Sequence, residues 1–74
     1  MTNERLAELA RERAARYPSR TPERRAAAAL YVALADTRTP EGARRALSFA
    51  SQSVRADALA LLRIIQREAE ALAT

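Results

Sequence analysis

Between Val54 and Leu72 the apolar residues recur at spacings of three, four and seven: Val54, Ala58, Leu61, Leu62, Ile65, Ala69 and Leu72. At about 100° per residue these positions share roughly a third of a helix circumference, so the stretch predicts one long amphipathic helix over 53–72. Leu59 and Ile64 fall outside the stripe, on opposite flanks. A stripe that widens on both edges needs more than one neighbour to cover it. Leu59 and Ile64 are therefore candidates for a protein interface.

The same periodicity organises the rest of the chain. Leu6, Leu9, Ala10, Ala14 and Tyr17 make a narrow stripe over residues 3–17. Thr2 or Asn3 is placed to cap that helix, and Pro18 ends it by pushing the residue before it out of the helical region. Thr21-Pro22-Glu23 then combines a capping hydroxyl, a first-turn proline and an acidic residue at the positive end of the helix dipole. Ala26, Ala27, Leu30, Ala33 and Leu34 give the inward face of a second helix, 22–36. Tyr31 and Val32 lie off that face and are candidates for an outer contact.

Thr39-Pro40-Glu41 repeats the start signal after the short turn Thr37-Arg38-Thr39. Tyr31 and Phe49 align at the same offset of 18 residues, but capping chemistry explains the echo without a duplication. The third helix is expected over 40–51, with Ala43, Ala46, Leu47 and Ala50 inward. Ser51 or Ser53 either caps a separate fourth helix, or the third continues into it with a bend. A break at 51–53 is the expectation. With no alternating β-branched run, the fold class is all-α: one domain, residues 1–74, built as a bundle of three to four helices.

Size and charge sharpen this picture. A chain of 74 residues buries a small core, and it has no cysteine or histidine for a disulfide or a structural metal. A second subunit would bury more apolar surface. All 13 basic residues are arginine, a signature of GC-rich bacterial coding or of adaptation to heat. No single arginine can then be read as chosen over lysine. Residues 11–25 hold six arginines against two glutamates, which accounts for the whole net charge of +4. Residues 46–74 are neutral overall, which suits an associating half.

Chemistry is scarce. General acid–base work at neutral pH draws on His, Cys, Lys or a carboxylate with a raised pKa, and the first three are absent. Glu4, Glu8 and Glu12 stand four apart on one helix face. Helical di-metal sites take carboxylates from several helices together with histidine, so this row reads as a solvated face paired with neighbouring arginines. Ser48, Ser51 and Ser53 have no base, and a lone Gly42 cannot build a phosphate loop. No catalytic residue, metal, cofactor or small-molecule substrate is expected.

Two partner classes remain. Helix 22–36, the short turn and helix 40–51 have the proportions of a helix-turn-helix, which would present Arg44, Arg45, Ser48 and Gln52 to a major groove. Arg20, Arg24 and Arg25 would then contact flanking phosphates. Against this, the turn lacks glycine, and Glu41 sits where a phosphate would approach the helix start. The other class is protein–protein contact through Leu59, Ile64, Tyr31 and Val32. The longest uncharged run, 26–35, is ten residues, too short for a membrane span, and no leader pattern opens the chain. The expectation is a cytoplasmic, non-enzymatic interaction module, a homodimer or higher oligomer through its last helix. The alternative is a small DNA-binding regulator.

Overall fold

In a computed structural model, residues 2–73 are described and form four α-helices: α1 (Asn3–Arg16), α2 (Pro22–Asp36), α3 (Pro40–Ala46) and α4 (Gln52–Ala73). No strand occurs among the described residues, so the all-α bundle stands. The capping signals act as their chemistry dictates. Thr2, Thr21 and Thr39 sit in extended backbone at the N-termini of α1, α2 and α3, and their hydroxyls accept from the N–H groups of Arg5, Arg24 and Gly42. The α1–α2 connector is held by Thr21 Oγ1, which donates to Pro18 O at 2.8 Å. Arg20 within it takes a left-handed backbone, φ 66°, which costs a side-chain-bearing residue about 1–2 kcal/mol.

The core lies where the stripes meet. Leu6, Leu9 and Ala10 of α1, all five expected positions of α2, and Ala58, Leu61, Leu62, Ile65 and Ala69 of α4 are buried. Leu6, Leu30, Leu34, Leu47, Leu62 and Ile65 are its largest fully buried side chains. The alanines of α2 let its neighbours approach closely, and α2 packs against α1, α3 and α4. α1 and α4 are also tied by an ion pair between Arg13 and Glu68, while Tyr17 packs on the core one turn further on.

The expected helix over 40–51 needs correction. α3 ends at Ala46, residues Leu47–Phe49 tighten into a 3-10 turn, and Ala50 is extended. Ser51 then caps a separate α4: its carbonyl accepts from Arg55 N at 2.9 Å and its hydroxyl from Val54 N at 3.5 Å. The physical reason is the fold-back. Arg44 Nη2 donates to Gln66 Oε1 at 3.3 Å, so α3 lies beside the middle of α4. A continuous helix would carry residues 44 and 66 about 33 Å apart. Breaking it gives up a few helical hydrogen bonds and lets both Leu47 and the α4 stripe reach one core.

A polar clasp closes the far end. Asn3 is 5% exposed, and its Nδ2 donates to Thr37 Oγ1 at 2.9 Å and to Thr39 O at 3.0 Å. Thr37 Oγ1 in turn donates to Ala33 O at 2.7 Å. Because Thr39 O only accepts, the amide nitrogen must face it, which fixes the orientation of the side chain. The α2–α3 turn is thereby pinned to the start of α1.

Candidate interaction surface

α4 carries two faces. Opposite its buried stripe stand Asp57, Ala60, Ile64 and Arg67, all exposed, with Ile64 at 44%. Beside them runs a shallow cleft of about 230 Å³, lined by Tyr17, Glu23, Ala26, Asp57, Ala60, Leu61 and Ile64. Its floor is apolar and its rim holds two carboxylates. Asp57, Arg63 and Arg67 make no ion pair among the described residues.

The other apolar interface candidates are placed differently. Leu59 is half-buried and packs against the core. Tyr31 and Val32 are exposed on α2, at 38% and 48%. Tyr31 lines a second hollow of about 330 Å³ between α1 and α2, whose walls include Asn3, Glu4, Glu8 and Arg11. Two further apolar side chains stand out in solvent: Phe49 at 64% in the 3-10 turn and Leu72 at 67% near the end of α4. Phe49 was not among the expected interface residues. Its flanking serines, Ser48 and Ser51, were the available sign of an outward turn.

The residues considered for DNA do not form one outward helical face. Arg44 and Arg45 are exposed on α3, a helix of seven residues. Arg44 is hydrogen-bonded to Gln66, and Arg45 Nη2 lies 3.9 Å from Glu41 Oε1. Ser48 belongs to the 3-10 turn and Gln52 opens α4, so the expected set is divided among three elements. Arg24 Nη1 donates to Tyr17 O and Ser19 Oγ, while Arg20 and Arg25 are exposed. In the basic window, Arg13 is drawn across to Glu68.

Glu4, Glu8 and Glu12 stay along the solvent side of α1, where Glu8 pairs with Arg5 at 3.0 Å. Among the described residues no group of three carboxylates converges, and no helix is long and apolar enough to cross a membrane. Comparison with family models, with curated proteins and with solved structures finds no match to this chain.

Proposed function

We propose that the protein is a non-enzymatic helical interaction module of the cytoplasm that associates with itself through α4. One observation carries the reading: Ile64 is a large aliphatic side chain left in solvent beside an apolar cleft, on the longest helix, adjacent to the fully buried Ile65. Covering Ile64 and the cleft removes apolar surface from water, and the neutral charge of residues 46–74 puts no net repulsion in the way. Tyr31 and Val32 offer a second patch, on α2, to a different protein partner.

The test is absolute mass by sedimentation over a concentration series. The wild-type chain is expected to gain mass with concentration, and Ile64→Glu to remain monomeric with unchanged helical circular dichroism. A wild-type chain that stays monomeric at every concentration sinks the reading. Leu59→Glu is the poorer probe, since Leu59 packs on the core and a charge there attacks folding itself.

The DNA-binding alternative has less support. Its expected readout residues are spread over α3, the 3-10 turn and α4, and Glu41 remains at the start of α3. It predicts a salt-sensitive affinity for duplex DNA that falls on Arg44→Ala with Arg45→Ala, measured by gel shift.

A further inference from the structure

We propose that α4 pairs with α4 of a second copy in an antiparallel register centred on Leu62, setting Asp57 against Arg67 and Ala60 against Ile64 of the other chain. This rests on the self-association just argued and supplies its geometry. Among the exposed residues of α4, Ser53, Asp57, Ala60, Ile64, Arg67 and Ala71 are spaced four, three, four, three and four apart. That is the heptad spacing of a two-helix seam. At 100° per residue the six positions fall within about 80° of arc, centred opposite the buried Leu62.

The seam is symmetric about that centre. Antiparallel helices related by a two-fold axis bring residues equidistant from it face to face. Residues 57 and 67 are equidistant from 62, as are 60 and 64, and 53 and 71. Each equidistant pair is chemically matched: a carboxylate with a guanidinium, a methyl with a branched aliphatic chain, a serine with an alanine. Both members of the charged pair lack an ion-pair partner within their own chain among the described residues. Every contact occurs twice, so the match is reciprocal.

The cleft gives a second reason. Ala60 is its small wall, and Tyr17, Ala26, Leu61 and the chain's own Ile64 complete its apolar lining. Ile64 of the second copy, seated over Ala60, enters this space. A parallel pair would instead oppose Asp57 to Asp57 and Arg67 to Arg67, and would leave a gap between facing alanines. Antiparallel packing also sets the two helix dipoles head to tail. Two isoleucines, one from each copy, and two ion pairs make a small contact, at the weak end of specific interfaces.

Charge reversal tests the register directly. Asp57→Arg and Arg67→Asp each place two like-charged pairs across the seam, and each is expected to weaken association about tenfold by sedimentation at low salt. The double variant D57R/R67D rebuilds both pairs with the charges exchanged, and is expected to return to within about threefold of wild type. All four positions of this exchange are in solvent, so circular dichroism should be the same for every variant. A wild-type dimer whose double variant stays as weak as the singles overturns the register and leaves self-association standing. A dimer indifferent to all three variants overturns both register and face. A wild-type monomer at every concentration overturns the self-association itself.

Discussion

The two faces of α4 each carry an isoleucine and alanines, and these matched side chains meet opposite fates. Ile65 is fully buried while Ile64, its neighbour in the chain, is 44% exposed; Ala58 is buried while Ala60 is exposed. What separates the faces is the pattern around each isoleucine. On the inner side Leu61, Leu62 and Ala69 supply a continuous apolar ridge that α1 and α2 can cover. On the outer side Ile64 stands between Asp57 and Arg67, and charges at those positions are far cheaper in water than in a core. The inner face satisfies folding. The outer face is neither apolar enough to be drawn inward nor uniformly polar, and that mixture is what a weak, reversible contact needs.

The sharpest way to break the comparison is to truncate both isoleucines. Ile65→Ala removes buried methyl groups and leaves a cavity, with an expected loss of about 2–5 kcal/mol. In a domain of this size each kcal/mol lowers the melting temperature by about 4–8 °C. Ile64→Ala, measured at a concentration where the chain is monomeric, is expected to change stability by less than about 0.5 kcal/mol. Equal losses in urea or thermal unfolding would mean that the two faces are not distinct.

The contrast has a polar counterpart in α1. Among the described residues Asn3 is the one buried polar residue, whereas Thr2 beside it caps from solvent. Asn3→Ala removes both side-chain donors and leaves Thr39 O without its contact from α1, an expected cost of about 1–2 kcal/mol. The amides of the α2–α3 turn should exchange faster in the variant, because the clasp that pins them is gone. Unchanged stability and unchanged exchange would show that the clasp holds nothing.

The degree to which the sequence foretold this structure follows the range of the interactions. Stripes and caps are local, so the inward face of α2 and the hydroxyl caps at Thr21 and Thr39 were legible residue by residue. Asn3 was legible only as a cap candidate, because its partners lie 34 and 36 residues away. The early end of α3 was not legible, since nothing in Leu47-Ser48-Phe49 forbids helix; the need to fold back onto the core ends it. Ile64 and Leu59 looked equivalent as flanks of one stripe. Which flank is covered depends on where the other helices lie, and periodicity carries no such information. Of the surface positions, the basic residues considered for DNA were equally visible in sequence, but their division among three elements was not.

Leu59 turns this into a graded test. It is half-buried, between the two isoleucines in exposure, and packs on the edge of the core. Leu59→Ala is therefore expected to cost about 1–2 kcal/mol, less than Ile65→Ala and more than Ile64→Ala. A loss as large as that at Ile65 would place Leu59 inside the core in solution and move the boundary between the faces by one flank.

The smallest effect concerns where the inner face stops. By spacing Leu72 belongs to the buried stripe, yet it is 67% exposed, and Val54 at the other end is only half-buried. The buried positions of α4 run from Ala58 to Ala69, about 17 Å of a helix about 33 Å long. Packed helices cross at an angle and share only their middle turns, so a stripe can outrun the neighbours that cover it. Leu72→Gln keeps helix propensity and removes an aliphatic group that is already in water. Its expected effect on unfolding is below about 0.5 kcal/mol, the range of ordinary surface changes. A loss comparable to that of Leu59→Ala would mean that the last turn of α4 is packed in solution. The covered length of the inner face would then extend to Leu72, and the two faces would differ along the whole of that end of the helix rather than only through its middle.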